Sequence, residues 1–167
     1  MGVRDADLIA VNTDIQSLRR VNVADKAQIG KMLTGGRGAG SNPEQGERAA
    51  EEDREYIANM LRGTDLLFIA AGLGGGTGSG ASPVIAEIAR ELDILTVAVV
   101  ITPFGLEMKN AGKQRIVETS IQRLKEKVNN IIEIPNDRIL KKCEGQMPVT
   151  TAYMEVNRAI VNIINGM

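Results

Sequence analysis

The 167-residue sequence predicts a single α/β domain, built on a mostly parallel β-sheet that is flanked by helices. The main observation is that short apolar runs alternate with helix-period patterns, as in sheets whose strands are joined by helical crossovers. The length is enough for one ordinary domain and too short for two. The sequence contains only two Tyr and two Phe residues, so we expect an aliphatic core.

The composition excludes several classes of function. Histidine is absent and only one cysteine is present, so Ser-His-Asp and Cys-His catalysis, histidine metal sites and an internal disulfide are excluded. A net charge of -1 predicts no nucleic-acid partner. The longest apolar runs fall far short of the ~20 residues that span a bilayer, so no membrane insertion is expected. The first residues lack the apolar region of a secretory signal, and the cytoplasm is the expected compartment.

The first third of the chain predicts one strand, one long polar segment and one helix. Leu8–Val11 is a short apolar run that indicates a strand. Residues 12–42 are polar and glycine-rich towards their end, and we interpret them as a loop. Asn42 and Pro43 then supply a helix N-cap and a first helical residue, which predicts a helix that continues to about Arg62.

The remainder of the chain continues the alternation. Leu66–Ala71 is an unbroken apolar run, typical of a strand buried on both faces. After the glycine-rich segment Gly72–Gly80, Ser82-Pro83 is expected to begin a helix, and Leu95–Ile101 predicts a second buried strand. The last expected elements are a helix over 112–129, a strand at Ile131–Ile134 and a helix from Pro148.

The glycine-rich segment is the strongest functional signal, because it lies between a predicted strand and a predicted helix. Ligands of parallel sheets bind beyond the carboxyl ends of the strands. Glycines let backbone N–H groups approach a phosphate, and Thr77 and Ser79 add hydroxyl groups. No Lys-Ser/Thr pair closes a Walker A loop. Gly76-x-Gly78-x-x-Ala81 satisfies the dinucleotide fingerprint, but the acid expected after the next strand is missing beyond Ile101. A dinucleotide-binding enzyme is therefore the alternative function. A flexible surface turn is the interpretation without function.

The glycine run Gly74-Gly-Gly-Thr-Gly-Ser-Gly80 is accompanied by other motifs in a fixed order. These are Ile9–Asp14, Gly38–Glu44, Leu95–Val100 followed by Pro103-Phe104, Ile134–Arg138 and the segment from Pro148. Together they resemble the signature loop, the flanking strands and loops, and the central helix of the tubulin/FtsZ family of GTPases. The resemblance covers nearly the whole chain. It implies a Rossmann-like, mostly parallel sheet and a GTP-binding domain over 1–167.

The resemblance also implies a nucleotide site, residue by residue. The residues that it assigns to GTP or GDP are Ala39, Gly40, Gly74, Gly75, Gly76, Thr77, Gly78, Glu107, Lys113, Tyr153 and Asn157. Of these, Ala39 and Gly40 would lie beside the γ-phosphate and Glu107 would accept hydrogen bonds from the ribose. The basic residue on the ribose side is Lys113 in the alignment, with Arg115 as the alternative.

Three of the assigned roles have competing structural explanations. Tyr153 and Asn157 are four residues apart and would share one helix face, where they could stack on and read a guanine base. The alternative is that Tyr153 belongs to the core and Asn157 to the solvated surface. Asp14 is the candidate for positioning Mg²⁺ through water, and its alternative is a helix N-cap.

Two regions of the family fold, one before and one after the matching motifs, have no counterpart in this sequence. The family's first strand and first glycine loop precede the matching region, and its acidic catalytic loop and second domain follow the central helix. The resemblance therefore assigns no catalytic residue within this sequence. We expect a filament-forming cell-division GTPase that hydrolyses GTP at subunit interfaces, acting at the division site with itself, full-length FtsZ or other cell-division proteins. A non-catalytic fragment that regulates FtsZ filaments is the alternative.

Overall fold

The computed structural model describes residues 6–137 together with positions 154, 158, 160–162 and 164–166. The predicted helix from Pro148 lies largely outside the described residues. The strands are β1 (Ile9–Asn12), β2 (Asp25–Gln28), β3 (Leu66–Gly72), β4 (Leu95–Thr102) and β5 (Asn130–Pro135). The helices are α1 (Ile15–Arg20), α2 (Lys31–Thr34), α3 (Pro43–Glu52), α4 (Arg54–Leu61), α5 (Gly76–Glu91), α6 (Gly105–Met108) and α7 (Ala111–Lys125).

All strand pairs in the described part of the chain are parallel, which confirms the predicted α/β class. β1 pairs with β2, and β4 lies between β3 and β5 in a separate three-stranded sheet. The register places Leu66 opposite Leu95 and Val97 opposite Asn130. Helices α5 and α7 form the crossovers that parallel neighbours require. The carboxyl ends of β3, β4 and β5 therefore lie at one edge of the sheet.

The core is aliphatic, as the shortage of aromatic residues predicts. Among the described residues, the largest fully buried side chains include Ile29, Ile57, Ile88 and Leu124, and no aromatic side chain is buried. Two clusters of buried side chains form this core, and α5 contributes to both of them. Helix α5 is thus held on two sides, which fixes the position of its N-terminal end.

Strand β3 is less buried than its apolar sequence predicts. The expectation of burial on both faces is wrong, because only Ile69 of this strand is buried, whereas β4 is buried from Thr96 to Val100. The reason lies in the sheet order. β4 has a partner strand on each side, while β3 pairs only with β4 among the described residues.

Two further corrections concern the first third of the chain. Residues 12–42 are not one loop, since they contain α1, β2 and α2. The glycine-rich stretch from Gly35 to Ser41 is irregular, and most of its residues have positive φ. The helix expected from Pro43 to about Arg62 is interrupted at Asp53, whose backbone is not helical (φ -107°, ψ 23°). Asn42 caps α3 as predicted, because its Oδ1 accepts from the amide of Glu44.

The helix that follows the glycine run begins earlier than Ser82-Pro83. Helix α5 begins at Gly76, and Pro83 lies inside it. A proline in this position cannot donate to the carbonyl of Ser79, four residues earlier. The hydroxyl of Ser120 on α7 lies 3.1 Å from that carbonyl and 2.8 Å from the carbonyl of Ile116 in its own helix, so its one proton is shared between the two acceptors. Tertiary packing therefore compensates in part for the amide that Pro83 lacks.

Candidate nucleotide-binding site

The glycine run lies beyond the carboxyl end of β3, as predicted, and includes the N-terminal end of α5. Gly75 is the N-cap, and no side chain satisfies the first amides of the helix. The first N–H groups of an α-helix have no acceptor within it, and the helix dipole makes this end positive. A 16-residue helix with an uncapped, glycine-lined N-terminus is well suited to bind an anion such as a phosphate.

The loop before α3 contacts this end of α5 directly. A Cβ built on Gly76 would lie 2.7 Å from Cβ of Ala39 and 2.9 Å from the backbone of Asn42. Farther along the two helices, Gly46 and Gly80 allow α3 and α5 to touch backbone to backbone. The N-terminal ends of two helices therefore meet at Gly76. Ala39 is buried beside it and Gly40 is exposed, next to the predicted phosphate position.

A third segment, 103–113, packs against the glycine run at Gly74. A Cβ built on Gly74 would lie 2.7 Å from Cγ of Pro103 and 3.3 Å from Cγ of Lys113. Nζ of Lys113 lies 2.7 Å from Oε1 of Glu107. The hydrogen bond from Lys113 holds the pKa of Glu107 below its usual value. The structure thus brings Lys113 and Glu107 together beside the loop, while Arg115 is an exposed residue of α7.

Within the glycine run, not every group is free to bind a ligand. The amide of Gly74 donates to Oγ of Ser79 at 2.8 Å, and Ser79 is buried. This hydrogen bond occupies the Gly74 amide, so Gly74 contributes the left-handed backbone of the loop (φ 95°) rather than a donor to a ligand. The Ser79 side chain stabilises the loop through the same hydrogen bond. Gly75, Gly76, Thr77 and Gly78 carry the amides that open the helix.

The end of β1 reaches the same site. Oγ1 of Thr13 lies 2.6 Å from Oγ1 of Thr77. Asp14 caps α1, because its carboxylate accepts from the amides of Gln16 and Ser17. The Gln16 amide is the largest of the contacts that hold the pKa of Asp14 below its usual value. The N-cap alternative for Asp14 is therefore seen in the structure. Asp14 also lies close to Gly38 of the loop before α3, and its role in positioning Mg²⁺ stays a prediction.

The structure does not test the two residues assigned to the base. Tyr153 and Asn157 lie outside the described residues. Asn136, which the motif Ile134–Arg138 contained without a role, follows the carboxyl end of β5 and is 5% exposed. Its Oδ1 has no hydrogen-bond partner in the described structure. A buried acceptor without a partner is costly, and such a group is a candidate for ligand recognition.

The described residues contain no cluster of three or more Cys, Asp or Glu side chains that could hold a metal ion. No helix among them has the length and apolar character needed to cross a membrane.

The parallel sheet, the uncapped glycine-rich helix start and the converging loops define an α/β nucleotide-binding domain. Comparisons with known proteins identify the family to which this domain belongs. The family described as "Tubulin/FtsZ family, GTPase domain" matches residues 3–144. The cell division protein FtsZ of Wigglesworthia glossinidia brevipalpis is 46% identical over 99% of this chain, and that of Buchnera aphidicola subsp. Acyrthosiphon pisum is 45% identical over the same share. The chain belongs to the tubulin/FtsZ family.

Solved structures give the same result for the fold. An FtsZ dimer from M. jannaschii aligns with 99% of this chain at a TM-score of 0.88 and 39% identity. CetZ from Methanosaeta thermophila aligns with 92% of it at a TM-score of 0.75 and 24% identity, a likeness of fold alone. The chain spans 42% of the length of the two curated FtsZ relatives and 47% of the M. jannaschii chain.

Proposed function

We propose that this chain binds GTP and GDP at the glycine-rich start of α5, as the nucleotide-binding part of a filament-forming cell-division GTPase. The observation that carries the proposal is the glycine-lined N-terminus of α5, whose first amides have no side-chain acceptor and whose positive dipole end meets that of α3 at Gly76. The motifs of the tubulin/FtsZ family lie around that same point.

The phosphates would bind along the open side of the glycine run. The amides of Gly75, Gly76, Thr77 and Gly78 are the donors of this site, and the Thr77 hydroxyl adds one more. Ala39 and Gly40 would lie at the terminal phosphate, because their loop packs against Gly76. This position allows the loop to respond to whether a γ-phosphate is present.

Glu107 and Lys113 would bind the sugar side of the nucleotide. A carboxylate can accept hydrogen bonds from the ribose hydroxyls. The ion pair with Lys113 keeps Glu107 charged and limits its side-chain freedom, and Lys113 retains donors for a phosphate. The pair lies beside Gly74, so the contact to the ribose would continue directly from the phosphate loop.

The base would lie between the end of β5 and the predicted helix that contains Tyr153 and Asn157. Tyr153 would stack on the ring and Asn157 would read its edge. The free Oδ1 of Asn136 is a third candidate, since guanine offers ring and amino N–H donors on its Watson–Crick edge. The 6-amino group of adenine could also donate to this oxygen, so Asn136 would add to the affinity for a base and the choice of guanine would fall to Asn157.

Mg²⁺ would enter this site together with the nucleotide phosphates, as it does where a protein offers few ligands of its own. The carboxylate of Asp14, near Gly38, would contact it through water at most, because its oxygens already cap α1. Mg²⁺ supplies charge neutralisation to the phosphates.

Hydrolysis and self-association form the last part of the proposal. Phosphoryl transfer needs an oriented water as well as fixed phosphates. We propose that a second subunit orients the water, as the family resemblance implies. Phosphate release per chain should then rise with protein concentration. A rate per chain that stays constant over a wide concentration range would show that one chain activates the water by itself.

The choice of base tests the proposal at single-residue level. Asn157→Ala should weaken GDP binding by about 1–3 kcal/mol, because it leaves polar groups of the guanine unpaired. Asn59→Ala, at an exposed position of α4 outside the site motifs, is the matched control and should bind GDP normally. Titration calorimetry with GDP and ADP measures both variants. Equal losses of GDP and ADP binding in Asn157→Ala would refute a base-reading role.

A further inference from the structure

One hydrogen bond at the site joins two hydroxyl groups from distant parts of the chain. Oγ1 of Thr13 and Oγ1 of Thr77 lie 2.6 Å apart, although 64 positions separate them in sequence. Thr13 directly follows β1 and is completely buried, whereas Thr77 is the second residue of α5 and is partly exposed. Only one of the two hydroxyl protons can lie between the two oxygens.

We propose that Thr13 donates this hydrogen bond and is a positioning residue, which directs the hydroxyl proton of Thr77 towards the phosphates of the bound nucleotide. The inference rests on the proposed function, because it assigns a role to Thr13 within the same phosphate site. Thr13 itself does not touch the ligand, since it has no exposed surface.

The direction of the proton follows from the burial of the two residues. If Thr77 were the donor, the proton of Thr13 would be buried, and Thr77 is the only side-chain partner found for its hydroxyl in the described structure. Leaving a buried donor unsatisfied costs about 1–3 kcal/mol. If Thr13 is the donor, the proton of Thr77 is the free one, and it lies on the partly exposed side of the pair. The second arrangement leaves no buried proton unpaired.

The backbone around Thr13 is well fixed, so the donor has a defined position. The neighbouring residue Asn12 accepts from the amide of Ile29 at 3.1 Å, and its side chain accepts from the amide of Asp14 at 3.1 Å. A Cβ built on Gly38 would lie 3.9 Å from Oγ1 of Thr13, so the loop before α3 closes over this hydroxyl. A β-branched side chain has few rotamers, which further limits the motion of Thr13.

The expected consequence is a better donor at Thr77. A hydroxyl that accepts one hydrogen bond donates the next one more strongly, and its rotation is restricted. Without Thr13, the Thr77 hydroxyl can turn and donate to a backbone carbonyl of the preceding turn, as threonines in helices commonly do. Thr13→Val keeps the shape of the side chain and removes only this donor. It should weaken GDP binding about three- to tenfold, the size of one lost hydrogen bond.

The test compares four proteins by titration calorimetry with GDP, pyrophosphate and guanosine. Thr13→Val should lose affinity for GDP and pyrophosphate and retain affinity for guanosine, which lacks phosphate. Thr13→Ser restores the donor and should bind GDP within about twofold of wild type. Thr96→Val is the matched control, because Thr96 in β4 is also buried and donates to the carbonyl of Ile94, the residue before that strand. It should lower stability without changing the affinity for GDP.

A double-mutant cycle with Thr77→Val completes the test, because Thr13→Val should cost no further affinity once the Thr77 hydroxyl is gone. Unchanged GDP and pyrophosphate affinities in Thr13→Val, or a loss that Thr96→Val reproduces, would overturn the role of Thr13. The pyrophosphate arm separates the two proposals. If wild type binds pyrophosphate and Thr13→Val weakens it, the positioning role holds even where guanine preference fails. If wild type binds neither pyrophosphate nor GDP, both proposals are wrong.

Discussion

Two adjacent glycines of the phosphate loop allow packing to be separated from ligand binding. Gly75 has an ordinary extended backbone (φ -100°, ψ -179°), and a Cβ built on it would meet no atom within 4 Å. A Cβ built on Gly76 would instead lie 2.7 Å from Cβ of Ala39 and 2.9 Å from N and O of Asn42. Gly75→Ala therefore adds a methyl group to open space, whereas Gly76→Ala forces α3 and α5 apart.

The expected magnitudes differ accordingly. In Gly75→Ala, the loss of a favourable N-cap residue and the lower entropy of the unfolded chain are of similar size, so stability should change by less than about 1 kcal/mol. In Gly76→Ala, the overpacking should cost roughly 1–3 kcal/mol. Because the phosphates are expected on the open side of the loop, the methyl group at position 75 obstructs them. GDP affinity should fall at least about tenfold, or ~1.4 kcal/mol.

The assay pairs urea denaturation with calorimetric titration of GDP for both variants. The reasoning predicts a stable Gly75→Ala protein that binds GDP poorly, and a destabilised Gly76→Ala protein. A Gly75→Ala protein with wild-type stability and wild-type GDP affinity would refute the assignment of the open side of this loop to the phosphates.

Two further predictions concern the helices that support the site. Glu47 on α3 and Arg123 on α7 form a bidentate ion pair, with N–O distances of 2.6 and 2.8 Å. The hydrogen bonds from Arg123 hold the pKa of Glu47 below its usual 4.5. The contribution of the pair to the free energy of unfolding is therefore fully present above pH 4.5 and is lost as the pH falls through the lowered pKa. Because both side chains are about a third exposed, Glu47→Gln should lower the free energy of unfolding by only about 0.5–1 kcal/mol at pH 7, and by less at pH 3. Urea denaturation at the two pH values measures this difference. An equal loss of stability at both would contradict a contribution from the ion pair. Ser120→Ala should cost about 1 kcal/mol, because it removes the hydroxyl near the carbonyl that Pro83 cannot serve. Adding Pro83→Ala should recover part of that loss by supplying the missing amide, and strictly additive effects would contradict this compensation.

The sequence predicted the elements whose signal is local. The apolar runs at β1, β3, β4 and β5 and the N-cap at Asn42 were all in place, and so was the glycine run at the end of β3. The start of α5 was not predictable, because Gly76–Gly80 has poor helix propensity and its helix forms against α3. Short polar elements such as α1 and β2 carry too little periodicity to be recognised, although Asp14 was a cap candidate.

The site shows the same division between local and tertiary information. The phosphate loop and the likeness of its neighbouring motifs to one family could be derived from the residues alone. The pairing of Lys113 with Glu107 joins two different helices, and the Thr13–Thr77 contact joins the residue after β1 to α5. Such contacts depend on how the elements pack. The buried Oδ1 of Asn136 also needed the structure, since burial of a single side-chain atom leaves no mark on the sequence.

The most direct test of the account is the nucleotide specificity of the unmodified chain. Calorimetric titration with GTP, GDP, ATP and NAD, at constant Mg²⁺, measures it in one experiment. The account predicts saturable binding of GTP and GDP at one site per chain, with ATP at least about tenfold weaker and no preference for NAD. Tighter binding of NAD than of GDP, or equal binding of ATP and GTP, would contradict a guanine-nucleotide site at the start of α5.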